Sequence, residues 1–157
     1  MKNLTKFLVS IFFVGYIKFA PGTWGTLISL LIMYILLNIL SLPLIILAII
    51  FIFLFFISNY LINYFSFITN SNDSKHIVID EFLGVFIIFL FYDLIFLLND
   101  FLTYSLIFIL FRFFDILKIF PSNYLDKHYK NGYGVILDDI IAGIYTVLTL
   151  IILNAFI

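Results

Sequence analysis

The sequence contains no cysteine and few charged residues. The absence of cysteine excludes disulfides, thiolate metal sites and cysteine nucleophiles. Charged residues make up 11% of the 157 residues and apolar residues 65%, which excludes a water-soluble globular protein and also a disordered one. Eight Lys and Arg against nine Asp and Glu give no basic excess, so no nucleic-acid partner is expected. A small membrane protein with one domain over residues 1–157 remains.

Long apolar runs predict an all-α, polytopic bundle of membrane helices. A spanning helix needs about 20 apolar residues, and polar linkers at Ser66–Asp80 and Pro121–Val135 separate the runs. The segment Phe7–Ala20 is short and interrupted by Gly15 and Lys18, so we expect it to be re-entrant or interfacial. About five spans follow: Leu27–Leu40, Leu44–Phe65, Glu81–Leu98, Phe101–Phe120 and Ile136–Ile157.

The positions of the Lys and Arg residues predict the orientation. With the N-terminus in the cytoplasm, none of them falls in an outside turn, as the positive-inside rule requires. The inverted topology would place all of them outside. Lys2 and Lys6 before an apolar run also suggest a secretory signal, but Phe19-Ala20-Pro21 is a poor cleavage site. We therefore expect the N-terminal segment to be retained.

This topology brings the polar residues to one depth, near the cytoplasmic interface. A Gly-rich turn begins the first span, and pairs of acidic residues begin the third and the fifth. An Arg, an Asp and a Lys lie where the fourth span arrives inside. The groups are Pro21–Thr26, Asp80-Glu81, Asp138-Asp139, and Arg112 with Asp115 and Lys118.

Each of these groups also has a structural interpretation. The acidic pairs could begin helices, where the macrodipole favours negative charge. Arg112 and Asp115 could form an i, i+3 ion pair, and Lys118 could extend to the interface. Adjacent residues on a helix point about 100° apart, so at most one of Asp138 and Asp139 need face the same ligand directly. The coincidence of all the groups at one depth favours a common site.

The chemistry that suits this set is that of a phosphate ester handled with Mg²⁺. Hard cations take carboxylate, phosphate and water oxygens as ligands. Arg and Lys neutralise phosphate oxygens, and the N–H groups at a helix N-terminus bind anions.

His76 and His128 are expected to be solvated, and Asp93 and Asp100 fall toward the outer side. No Ser-His-Asp arrangement is visible.

Three sequence blocks, in order and approximate spacing, resemble the phosphatidylglycerophosphatase A family. They are Ala20–Thr26, Ile77–Gly84, and Phe111–Lys118 running to Gly134–Gly143. The chain departs from the family pattern at five positions: Thr26, Ile119, Lys130, Asn131 and Ile136. The resemblance implies a membrane phosphatase of glycerophospholipid synthesis that converts phosphatidylglycerophosphate into phosphatidylglycerol with Mg²⁺. It also implies the inner membrane of a bacterium, with the active site facing the cytoplasm.

With this resemblance, the polar residues receive provisional roles. The predicted catalytic carboxylates are Asp80, Glu81, Asp115, Asp138 and Asp139. All of these except Asp115 are expected to bind the metal, and Asp115 is expected to act as a further ligand or a base. Arg112 and Lys118 are expected to hold the phosphate, beside a turn shaped by Gly22, Thr23 and Gly25. The alternatives are a phospholipid headgroup transferase and a non-enzymatic channel or transporter.

Overall fold

The computed structural model describes residues 2–69, 75–97 and 99–156, and all regular structure among them is helical. The described residues leave out residues 70–74, which belong to the predicted linker Ser66–Asp80. They also leave out Leu98 of the predicted third span. The helices are α1 (Lys2–Val9), α2 (Pro21–Tyr34, continued by a π turn at Ile35–Ile39), α3 (Leu44–Thr69), α4 (Ile79–Phe89), α5 (Tyr92–Ile95), α6 (Asp100–Leu117), α7 (Ser122–His128) and α8 (Gly132–Asn154).

Three of these helices are long and apolar enough to cross a membrane. They are Pro21–Ile39, Leu44–Thr69 and Gly132–Asn154. The all-helical prediction is confirmed, whereas the count of about five spans is not. The predicted span Glu81–Leu98 is divided after Phe89, which leaves α4 with 11 residues, about 17 Å long. Helix α6 has 18 residues, of which three are charged. It is not among the three helices that are long and apolar enough to cross a membrane.

The N-terminal segment folds back onto the chain before α4. Helix α1 has eight residues, so it is about 12 Å long and too short to span a bilayer. Its end is followed by Ile11, Phe12 and Phe13 with φ of 43°, 55° and 67°, a conformation that breaks the helix. The Val78 N–H then donates to the Val9 carbonyl at 3.0 Å. This bond fixes the start of α4 to the end of α1.

Helix α2 begins earlier than the sequence predicts. Pro21 occupies its first turn and Ala20 precedes it with φ of 46°. Proline suits this position because its missing N–H would have no helical partner there. The block Pro21–Thr26 is therefore the first part of the helix and not a turn before it.

The contact between α4 and α8 has glycine on both sides. A Cβ on Gly84 would lie 2.7 Å from the carbonyl oxygen of Asp139, and a Cβ on Gly143 would clash with the carbonyl oxygen of Gly84. The two backbones therefore touch without intervening side chains. Buried Phe86, Phe89 and other residues fill the core beyond this contact.

Candidate active site

A cavity of about 840 Å³ lies where four helices present their polar ends. The first turn of α2, the first turn of α4, the last turns of α6 and the second turn of α8 contribute to it. Its wall holds all five carboxylates that the sequence singled out, and five cationic side chains. These are Asp80, Glu81, Asp115, Asp138 and Asp139, with Lys75, Arg112, Lys118, Lys127 and Lys130.

Three of the carboxylates converge on one point. Asp80, Glu81 and Asp139 each offer an oxygen, and these oxygens all lie within 4.8 Å of one another. Asp80 and Asp139 each lie four residues before the glycine at which α4 and α8 touch, Gly84 and Gly143. In a helix, residues four apart lie on the same face. The glycine contact thus brings the two acidic turns together.

Burying these three carboxylates in their charged form is unfavourable unless a positive charge lies nearby. Burial raises the pKa of the Asp80 carboxyl. Burial also raises the pKa of the Glu81 carboxyl, and the neighbouring charge of Asp80 raises it further. One oxygen of Glu81, Oε2, is buried without a hydrogen-bond partner in the described part of the protein. A cation held between the carboxylates would offset the cost of burying their charge and would give the unsatisfied oxygen a partner.

Arg112 closes the cavity on the α6 side. Its Nη1 donates to Asp115 one turn later, so the predicted i, i+3 ion pair is present. Its Nε is buried and makes no hydrogen bond within the described residues. A Cβ on Gly22 would lie 3.1 Å from Arg112 Nη1 and would clash with Glu81. Glycine at position 22 therefore leaves room between the α2 N-terminus, the guanidinium and the carboxylates.

Asp138 belongs to a separate group beside the three carboxylates. Lys118 Nζ lies 2.6 Å from one of its oxygens, and the buried Ser122 hydroxyl donates to the other. The predicted metal ligands Asp138 and Asp139 thus face different partners, because neighbouring helical residues point about 100° apart. Lys118 ends α6 in the left-handed conformation, with φ of 46°.

Two predicted residues of the Gly-rich block do not reach the cavity wall. Thr23 and Gly25 are absent from its described lining, whereas Ala20, Pro21 and Gly22 are present. A Cβ on Gly25 would clash with Val78, so this glycine permits close packing of α2 against the segment before α4. Of the three residues of this block that were predicted to lie near the phosphate, only Gly22 lines the cavity.

The two histidines are exposed, as expected, and each also stacks on an aromatic ring. His76 stacks on Tyr16 with ring centres 4.2 Å apart and donates to the Gly15 carbonyl at 2.9 Å. His128 stacks on Tyr124 and donates to the carbonyl of the same residue. Neither lines the cavity.

Sequence reasoning missed Ser122 and the cavity lysines Lys75, Lys127 and Lys130. The lysines served only as topology markers in the linkers, and nothing in the linear sequence shows that they reach one cavity. Ser122 is not part of any recognised sequence motif. It follows Pro121 at the end of the α6–α7 connection, which is the only signal that places it near Lys118.

The residues present fit a divalent cation such as Mg²⁺. Three carboxylates with converging oxygens form an all-oxygen donor set, which is what a hard cation prefers. Glu81 Oε2, which makes no hydrogen bond among the described residues, is available as a donor atom. Next to this set, Arg112 and the α2 N-terminus can bind an anion.

Comparison with known proteins identifies the group to which this site belongs. The family model described as Phosphatidylglycerophosphatase A matches residues 7–154. The chain belongs to the phosphatidylglycerophosphatase A family. A protein named Phosphatidylglycerophosphatase A from Haemophilus influenzae is 36% identical over 137 residues, covering 85% of this chain and 78% of its own. A protein of the same name from Escherichia coli K12 is 28% identical over 144 residues, covering 92% and 80%. No solved structure gives a significant match.

Membership in the phosphatidylglycerophosphatase A family confirms the predicted resemblance and the prediction of an enzyme, a phosphatase. The matched range contains all three sequence blocks and every residue of the carboxylate group. The three apolar helices associate the phosphatase with a membrane.

Proposed function

We propose that this protein is a Mg²⁺-dependent phosphatase that hydrolyses phosphatidylglycerophosphate to phosphatidylglycerol and inorganic phosphate in phospholipid biosynthesis. The observation that carries the proposal is the convergence of Asp80, Glu81 and Asp139 beside Arg112 in one cavity. The names of the two relatives supply the substrate.

In this proposal Asp80, Glu81 and Asp139 hold the metal. Bound Mg²⁺ would neutralise charge on the phosphate oxygens and lower the pKa of water. Asp138 was predicted as a fourth ligand. Its contacts with Lys118 and Ser122 support a different role, in which it holds Lys118 at the cavity wall.

Arg112 and the backbone N–H groups at the start of α2 bind the terminal phosphate. The guanidinium presents several donors to phosphate oxygens, and its unsatisfied Nε faces no competing acceptor among the described residues. Lys118, which is about one-third exposed, adds a second positive charge to the cavity wall.

Hydrolysis exchanges one phosphorus–oxygen bond for another. A water oxygen attacks phosphorus, the bond to the glycerol oxygen breaks, and a proton moves to that oxygen. Asp115 would accept the proton of the water. Its position in the cavity wall, with one oxygen bound by Arg112, supports this role. Arg112 then stabilises the negative charge on the departing phosphate.

The proposed location is the inner membrane of a bacterium, with several spans and the cavity on the cytoplasmic side. Four lysines and Arg112 line the cavity, whereas Asp93 and Asp100 do not. The concentration of Lys and Arg at the cavity supports its location on the cytoplasmic side, as the positive-inside rule predicts. The acyl chains would stay in the bilayer while the headgroup enters the cavity laterally.

The test is phosphate release from phosphatidylglycerophosphate by purified protein in detergent, with and without Mg²⁺. We expect release only with the metal. A chain shown to be folded that releases no phosphate would contradict the proposal. Labelled headgroup appearing on an added lipid alcohol would instead indicate a transferase, and ion flux in vesicles a channel or transporter.

A further inference from the structure

Three lysines of the cavity are not used by the proposed reaction. Lys75 precedes α4, Lys127 lies on α7, and Lys130 lies between α7 and α8, yet all three line the same cavity. Their side chains are exposed. The ion pairs within the described part of the protein are Arg112–Asp115 and Lys118–Asp138, so none of the three lysines is paired there.

The depth of these charges differs from that of the proposed catalytic group. The carboxylates Asp80 and Asp139 are buried, at 8% and 5% exposure, and form the floor of the cavity. The three lysines are solvent-exposed and form its rim. A ligand bound at the floor therefore shares one cavity with the three lysines.

The proposed substrate carries two phosphate groups in series. Its terminal phosphomonoester would be bound at the floor by Arg112, Lys118 and the metal. Its phosphodiester, which joins the headgroup to the diacylglycerol, is separated from that phosphate by one glycerol unit and would be left at the rim. That diester carries a negative charge for which the floor offers no partner.

We propose that Lys75, Lys127 and Lys130 form a second anion subsite that binds the phosphodiester of the lipid headgroup. This inference rests on the proposed function, because it assigns the second phosphate of the same substrate. The subsite would make the enzyme prefer lipids with a phosphodiester to phosphatidic acid, which has a phosphomonoester only.

The experiment replaces each lysine with glutamine, singly and together, and measures kinetics on both lipids. Each single variant should raise KM for phosphatidylglycerophosphate by about two- to five-fold with kcat retained, as expected for a partly exposed ion pair. The triple variant should raise it more, and added salt should shrink the difference. KM for phosphatidic acid should not rise. Lys2→Gln, which removes the same charge from exposed Lys2 away from the cavity, is the matched control.

Equilibrium binding separates this inference from the proposed reaction. Trp24, the only tryptophan, lies two residues after Gly22 of the cavity wall and reports binding by fluorescence. Without Mg²⁺, the triple variant should lose affinity for phosphatidylglycerol, which has the diester only, and keep its affinity for phosphatidic acid. This result can hold even if no phosphate is released, in which case only the proposed reaction fails.

Two results would overturn the subsite. Equal loss of affinity for phosphatidic acid and phosphatidylglycerol would mean that the lysines attract any anionic lipid. Unchanged affinity for phosphatidylglycerol in all variants would mean that they bind no headgroup. Thermal unfolding in detergent checks that each variant is folded, and the single variants replace the triple variant if it is not.

Discussion

Gly84 of α4 lies against the backbone of Asp139 in α8, so close that a methyl group there would come within 2.7 Å of the Asp139 carbonyl oxygen. This contact fixes how far apart the two helices can be. Asp80 lies one turn before Gly84, and Asp139 one turn before Gly143. The distance between the carboxylates is therefore set by two residues that have no side chain.

Gly84→Ala should separate α4 from α8 and weaken the metal site. Alanine improves helix propensity by about 1 kcal/mol, but overpacking costs about 1–3 kcal/mol, so we expect a small net loss of stability. We also expect phosphate release to fall at least about ten-fold, because a shift of about 1 Å in catalytic groups is costly. Thermal unfolding and phosphate release measure the two effects. Unchanged activity in this variant would show that the glycine contact does not position the carboxylates.

Asp139→Asn should abolish phosphate release while the protein remains inserted and folded. The amide removes one negative charge from the donor set of three, and metal sites of this kind depend on carboxylate charge. Asp93→Asn is the matched control, since Asp93 is exposed and outside the cavity. If Asp139→Asn kept wild-type activity, Asp139 would have no role in the mechanism.

Mg²⁺ should raise the unfolding temperature of the wild-type protein. A ligand at 100 times its Kd stabilises the folded state by about 2.7 kcal/mol. The increase should disappear in Asp80→Asn as well as after chelation. This measurement needs no substrate, so it tests the metal site even where activity is lost. An equal increase in wild type and Asp80→Asn would place Mg²⁺ elsewhere.

Ser122→Ala should lower stability by about 1 kcal/mol, because it leaves a buried Asp138 oxygen without its hydrogen-bond donor. We also expect a modest fall in activity through the less restrained Lys118. The control is Ser105→Ala on α6, where no side-chain hydrogen bond is present among the described residues. A loss of the same size in both variants would argue against a specific role for the Ser122 hydroxyl.

Arg112→Lys should keep the positive charge but reduce phosphate binding by about ten-fold or more. Lysine lacks the planar guanidinium that presents several donors at once, and Asp115 would compete for its single ammonium group. KM for phosphatidylglycerophosphate measures the effect. An unchanged KM would indicate that a point charge at this position is sufficient.

The sequence was sufficient to predict the helical class, the family and the polar residues that meet. Apolar runs and the spacing of Asp80-Glu81, Arg112, Asp115 and Asp138-Asp139 carried that information. The division of α4 from α5 could not be predicted, because the Glu81–Leu98 run is apolar on both sides of the break. Nor could the early start of α2, since Pro21-Gly22 suits a turn and a helix start alike.

The sequence also could not indicate which of Asp138 and Asp139 lies with the other proposed metal ligands. Both follow the same apolar pattern, and the sequence states only that they face different directions. The contact partners support the proposed assignment, since Asp139 lies with Asp80 and Glu81 and Asp138 with Lys118 and Ser122. A rim lysine such as Lys75 is far in sequence from Lys127 and Lys130, so only tertiary structure brings the three together.

The hydrogen bond from Val78 to Val9 decides where a purification tag should be placed. Bulk or tension at the N-terminus would act through α1 on the residue that precedes Ile79 and Asp80. At its other end α8 finishes at Asn154, 15 residues after Asp139 and so about 22 Å farther along the helix. A tag fused after the last residue would stand clear of the carboxylates, and preparations tagged at the two ends should differ in specific activity.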